Sequence, residues 1–127
     1  MYKRILFGIM ACAAMTILLA ACTIRDAASI PTGPTVGMGN ASFLQNTINI
    51  KKGDKLTLVD KVAVAHIITN GYWDGSTQKP GKEAGAPTVN LNFQGNDTSS
   101  TAPFNTAGTF RLYCTIHGGM NLTVTVQ

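Results

Sequence analysis

The sequence contains little charge and few side chains that can ligate a metal. Charged residues make up 13% of the 127 positions, and the formal net charge is +4. The basic residues form no Arg-rich face and no pattern interleaved with aromatics, which excludes nucleic acid as an expected partner. With three cysteines and two histidines, the chain has too few thiolates for an iron–sulfur cluster in its folded part and too few imidazoles for a multicopper enzyme.

The N-terminus is typical of an export signal. Lys3 and Arg4 precede an uncharged, apolar stretch over residues 5–24, and residues 19–22 read Leu-Ala-Ala-Cys, which resembles a bacterial lipoprotein signal. We predict a signal peptide over residues 1–21, with Cys22 as the site of lipid attachment. An uncleaved signal anchor is the alternative, because 20 uncharged residues can span a bilayer. Both alternatives place the folded part outside the cytoplasm, held at the membrane on the cell surface or the periplasmic face.

The remainder of the chain predicts one small all-β domain. Residues 22–40 are rich in Pro, Gly, Thr and Ala and predict a flexible tether. Residues 41–127 form the predicted domain, in which short alternating runs are separated by Gly, Asn, Asp and Pro. A long loop is predicted over residues 71–85, with Tyr72 and Trp73 as its cover, and a polar connection with a possible helical turn over residues 96–102. The predicted strands are 43–50, 55–60, 62–69, 87–93, 108–114 and 120–126.

Cys114 is the one thiol left to the predicted domain. Cys12 lies within the signal and Cys22 is taken by the lipid, so no disulfide partner remains for Cys114 in an oxidising compartment. Cys114, His117 and Met120 follow one another at three-residue steps between two predicted strands, and His66 is the other histidine. Strand alternation turns His66, Cys114 and Met120 toward the interior.

Two imidazoles, one thiolate and one thioether suit copper in both of its oxidation states. We therefore predict a single copper ion held by His66, Cys114, His117 and Met120. Zinc fits less well, because it prefers four good ligands and would need Asp60 or Asp74 to join the set. Each of these residues taken alone would be an ordinary core side chain. The metal prediction rests on both histidines and the one remaining thiol fitting a single site.

These residues resemble the cupredoxins, the blue copper proteins, of plastocyanin and amicyanin type. The similar segments are residues 43–56, Ala65-His66-Ile67 and residues 108–126, and the resemblance covers essentially all of the predicted domain. The most specific part is Tyr113-Cys114 followed by His117 and Met120, whose spacing is like that of amicyanin. The resemblance implies a Greek-key β-sandwich, here of about seven or eight strands, with a type 1 copper ion cycling between Cu(I) and Cu(II). It also implies a monomer that exchanges electrons with redox proteins by transient docking.

The resemblance also assigns roles by position. His66 would be the ligand from an early strand, Cys114 the thiolate, His117 the ligand near the surface, and Met120 the axial ligand. The amides of Ile67 and Ile116 would hydrogen-bond the Cys114 sulfur and tune the reduction potential.

The sequence departs from the cupredoxin pattern at a few positions and leaves other functions open. The departures are Leu58, Asp60, Leu122 and the pair Gly118-Gly119. The two glycines make the loop between Cys114 and Met120, which we call the ligand loop, less rigid than a proline would. Storage or delivery of copper with the same ligands is the alternative function. An enzyme with Cys114 as nucleophile is disfavoured, because no third orienting residue stands at a recognisable position.

Overall fold

The computed structural model describes residues 32–127, which form nine β-strands. In chain order these strands are β1 Thr35–Met38, β2 Thr47–Ile50, β3 Thr57–Asp60, β4 His66–Asp74, β5 Thr77–Pro80, β6 Asn90–Phe93, β7 Thr98–Ser100, β8 Gly108–Cys114 and β9 Asn121–Val126. The described residues contain no helix long and apolar enough to cross a membrane. The predicted signal peptide over residues 1–21 and the lipid site at Cys22 lie outside the described part of the chain.

The strands form two sheets. The smaller sheet has the order β1-β3-β7, and the larger has the order β2-β9-β8-β4-β5 with β6 paired to β4. β1 runs parallel to β3 and β2 parallel to β9, while the remaining pairs are antiparallel. The prediction of an all-β sandwich is confirmed.

The alternation in β8 and β9 builds the core that supports the site. Phe110 and Leu112 of β8 and Leu122 and Val124 of β9 are buried, and the two strands pair with Leu112 opposite Leu122. Each fully buried aliphatic side chain contributes roughly 1.5–3 kcal/mol. The two strands that end at the predicted ligand loop are therefore among the best anchored in the domain.

The domain begins earlier than the sequence predicts. β1 falls within residues 22–40, which we expected to be a tether, and its Val36 and Met38 are fully buried in the core. The Gly and Pro content suggested a flexible segment, but β1 pairs with β3 in parallel. That pairing is long-range and leaves no local sequence signal. Residues 22–31 of the predicted tether lie outside the described residues.

The predicted loop over residues 71–85 is wrong over residues 71–80, which form a β-hairpin. β4 continues to Asp74 and pairs with β5 in a hairpin, with Asp74 opposite Thr77. The two-residue turn has Gly75 at its first position with φ +60°, as a type II′ hairpin turn requires. Residues 98–100, predicted as part of a polar connection with a possible helical turn, instead form edge strand β7 beside β3.

Candidate metal centre

The sheet places the predicted ligands at one end of the sandwich. His66 is the first residue of β4 and Cys114 the last of β8, and these neighbouring strands pair with Ile68 opposite Cys114. Because residues two apart share a strand face, His66 lies on the same side of the sheet as the Cys114 thiol. The Cys114 amide donates to the Met120 carbonyl at 3.0 Å, which brings the start of β9 to the same end.

Three donor atoms converge there. Nδ1 of His117 lies 3.4 Å from the Cys114 sulfur, and Nδ1 of His66 lies 3.9 Å from it. All three donor atoms lie within 4.8 Å of one another. Two ligand atoms bound to one metal at about 2.0–2.3 Å in a trigonal arrangement are roughly 3.5–3.7 Å apart, so the spacing fits one shared ion.

Burial differs sharply within this set. The exposed fractions of His66 and Cys114 are both 0%, whereas His117 is half-buried. The His66 and His117 rings are tilted against each other with centroids 4.8 Å apart. The cluster therefore has two donors sealed in the core and one at the surface.

Burial lowers the pKa of His66 below its ordinary value, and the carboxylate of Asp60 opposes that shift in part. A neutral imidazole has one nitrogen lone pair free to bind a metal. The Nδ1 atom faces the sulfur, while Nε2 is buried without a hydrogen-bond partner and lies 3.9 Å from Asp60 Oδ1. The ring is thus oriented with Nδ1 toward the site and Nε2 toward the carboxylate.

Met120, the predicted fourth ligand, directly precedes β9. Its side chain is buried, with 2% exposed. Its backbone continues the β8–β9 register, so Met120 stands opposite Cys114 and shares its face. Its role as the axial ligand stays a prediction.

The ligand loop is tightly bonded at its ends and open in its middle. The Thr115 amide donates to the Ile67 carbonyl at 2.9 Å, and the Met120 amide to the His117 carbonyl at 3.3 Å. Gly118 and Gly119 are exposed, and a Cβ at either would meet no atom within 4 Å. No hydrogen bond joins the Ile67 or Ile116 amide to the sulfur among the described residues, so those two contacts stay predictions for the metal-loaded protein.

The donor set fits copper better than zinc. No carboxylate belongs to the cluster of donor atoms within the described residues. Asp60 faces the far nitrogen of His66, and Asp74 is exposed at the tip of the β4–β5 hairpin. A thiolate and two imidazoles are the close ligands of an electron-transfer copper site, to which a weak axial thioether is commonly added.

Comparison with known proteins gives the family. Residues 33–127 match the family described as copper binding proteins, plastocyanin/azurin family. No curated protein sequence matches. The fold is similar to amicyanin from Paracoccus versutus (Thiobacillus versutus), with a TM-score of 0.58 at 18% identity over 76% of this chain and 83% of that one.

Two mutant amicyanins are similar to the chain as well. An oxidised proline-to-glycine mutant gives a TM-score of 0.58 at 20% identity, over 81% of this chain and 90% of that one. A reduced Cu(I) form at pH 4 of another proline-to-glycine mutant gives 0.56 at 18% identity, over 83% and 87%. The chain belongs to the copper-binding plastocyanin/azurin family. It is a blue copper electron-transfer protein whose cofactor is one copper ion.

Sequence reasoning missed the residues that hold the ligand loop from outside. Trp73 Nε1–H donates to the Cys114 carbonyl at 2.8 Å, and Gln78 Nε2 donates to the Thr115 carbonyl at 3.0 Å. Both come from the segment that the sequence predicted as a loop. The available signals were the Gly75 turn and the aromatic pair Tyr72-Trp73, which together favour a hairpin.

Proposed function

We propose that His66, Cys114 and His117 hold the copper ion, with Met120 as the weak axial ligand, and that the domain passes single electrons between redox proteins outside the cytoplasm. The observation that carries this proposal is the approach of two histidine Nδ1 atoms to one buried thiol, at 3.4 and 3.9 Å. When bound, copper supplies a one-electron Cu(I)/Cu(II) couple.

The residues around the site hold its geometry fixed and exclude water from two of its donors. The core holds His66 and Cys114 from two paired strands, so neither side chain can move far without disturbing the sheet. A site that changes little between two oxidation states needs little reorganisation when an electron moves. The same burial leaves the Cys114 sulfur inaccessible to a substrate, which argues against a nucleophilic enzyme.

Electrons would enter and leave through the half-buried edge of His117. Ile116 and Leu44 are the exposed large hydrophobics of the described residues, at 50% and 59%. Ile116, Gly118 and Gly119 surround His117 in sequence, and Leu44 packs over Gly37 and Gly39. Met38, which lies between these two glycines, is fully buried and contributes nothing to the surface. The exposed Ile116 side chain beside His117 offers an apolar contact, which suits transient docking to a redox partner.

We also propose that the domain is a monomer anchored at the outer face of a membrane by lipid on Cys22. The order of Lys3, Arg4, an apolar run and Leu-Ala-Ala-Cys supports the lipid anchor. Intact-mass analysis of the membrane fraction should show a lipid-modified chain that begins at Cys22. A chain retaining residues 1–21 would instead support the signal anchor.

The proposed copper site is tested by absorption spectroscopy on residues 23–127 titrated with Cu(II). Intense visible absorption with one equivalent of copper, absent in Cys114→Ser, would establish a bond from copper to the Cys114 thiolate. Gly118→Ala is the matched control, because this exposed position has open space and should leave the spectrum in place. A colourless titration, or a band that persists in Cys114→Ser, would reject the site.

Storage or delivery of copper can be distinguished from electron transfer by comparing the rate of Cu(I) loss with the rate of electron self-exchange. Two fully buried donors favour a site that holds its metal. We expect Cu(I) to be lost to a chelator far more slowly than electrons exchange between oxidised and reduced protein. Rapid loss of Cu(I) with slow electron self-exchange would favour delivery.

A further inference from the structure

The β4–β5 hairpin, residues 71–80, is largely outside the core. β4 pairs with β8 only as far as Asn70, and its last four residues pair with β5 alone. All four residues of β5 are exposed. The hairpin therefore gains little stability from burial of its own side chains. Its hydrogen bonds to the ligand loop are the contacts that matter.

Those contacts converge on the backbone of the ligand loop. The Trp73 indole N–H donates to the Cys114 carbonyl at 2.8 Å, and the Gln78 amide donates to the Thr115 carbonyl at 3.0 Å. The Asn121 side chain, next to Met120, accepts from the Trp73 amide at 2.7 Å and donates to the Trp73 carbonyl at 3.0 Å. One hairpin is thus bonded to both ends of the loop.

The side chain of Tyr113, on β8, packs between the hairpin and the sheet. Its ring meets the Trp73 ring edge-on, with centroids 6.2 Å apart. Its hydroxyl donates to Gln78 Oε1 at 3.3 Å. Tyr113 faces away from the metal cluster yet is buried, because the hairpin covers it.

The peptide between Cys114 and Thr115 is consequently bonded on both sides. Its carbonyl accepts from Trp73, and its N–H donates to the Ile67 carbonyl at 2.9 Å. The Cys114 side chain leaves the backbone at the edge of this peptide plane, so a fixed plane limits where the sulfur can lie. Ile67 is next to His66, so the hydrogen bond from this peptide to the Ile67 carbonyl also fixes the distance between the Cys114 backbone and the His66 backbone.

We propose that Trp73 is a positioning residue for the copper thiolate, and that the β4–β5 hairpin braces the ligand loop against movement of Cys114. The inference rests on the proposed copper site, because the thiolate matters only if it binds the metal. Gln78 supports the same loop from an exposed position and contributes less, since water competes for its bond.

Trp73→Phe is the test, because it removes the N–H donor and keeps a ring against Tyr113. We expect Cu(II) affinity, measured by chelator competition, to fall roughly 2- to 12-fold, the range of one net hydrogen bond. We also expect the Cys114-dependent visible band to shift and the reduction potential to change. Gln78→Leu should change the same quantities in the same direction by less.

Tyr72→Leu is the matched control. Tyr72 is adjacent to Trp73 in β4, but its ring packs on the Arg111 guanidinium at 3.7 Å. This variant leaves the Trp73 and Gln78 hydrogen bonds to the loop in place, so the visible band and the potential should stay unchanged. If Trp73→Phe and Tyr72→Leu give the same copper affinity, band and potential, the positioning role is refuted.

Amide exchange in the metal-free protein separates this inference from the proposed function. In Trp73→Phe, the Thr115 amide should exchange roughly 2- to 12-fold faster. The Thr123 amide, bonded to the Asn46 carbonyl at 2.9 Å, is the internal reference and should keep its rate. A wild-type protein that binds no copper would reject the proposed function and leave this measurement valid. An unchanged Thr115 rate would reject the brace even if copper binds.

Discussion

Replacing Gly71 with alanine tests how closely the β4–β5 hairpin must approach the sheet. Gly71 has φ +126°, a conformation that residues with a side chain rarely adopt, and a Cβ there would lie 2.8 Å from the Tyr113 ring and against the Lys79 carbonyl. Backbone strain costs about 1–3 kcal/mol, and the steric clash adds a similar amount. We expect Gly71→Ala to lose about 2–6 kcal/mol of unfolding free energy.

Urea denaturation of the metal-free domain measures this loss, which should lower the midpoint by on the order of 2 M. Gly75→Ala is the control, because Gly75 also has positive φ, +60°, but a Cβ there would have open space. It should cost about 1–2 kcal/mol from the backbone alone. Equal midpoints for the two variants would show that the hairpin does not pack tightly on Tyr113.

Three further predictions concern the packing of the core, the pH dependence of stability and the axial ligand. Leu112→Ala, at a fully buried position in β8, should cost about 2–5 kcal/mol in urea denaturation, and a loss under 1 kcal/mol would contradict the packing described. Because burial lowers the pKa of His66 below 6.5 in the folded state, the unfolded metal-free chain binds the proton more readily. Stability should therefore be full above about pH 6.5 and fall below it, a dependence measured by urea denaturation and reduced in His66→Gln; an equal slope in both proteins would refute it. Met120→Leu should keep copper and the visible band while raising the reduction potential, measured by voltammetry, because a weak axial thioether donor is lost; loss of copper would show that the thioether is indispensable.

The sequence alone carried most of the information about the metal centre. Cys114, His117 and Met120 are close in the chain, and strand alternation turned His66 toward the same interior, so few arrangements of the donors were possible. The all-β architecture followed from short alternating runs for the same reason, since period-two patterns are local properties. Both features depend on residues that are near in sequence or that share one strand.

The tertiary structure decided what depends on distant pairing. β1 is a strand because it pairs with β3 about twenty residues later, and no local pattern records that partner. Trp73 lies 41 positions from Cys114, yet its indole N–H bonds the Cys114 carbonyl. Local alternation gives a side chain its face, but only the packing of separate segments decides which atom that side chain meets. For this protein, sequence therefore predicted the donor atoms, and the fold determined what holds them in place.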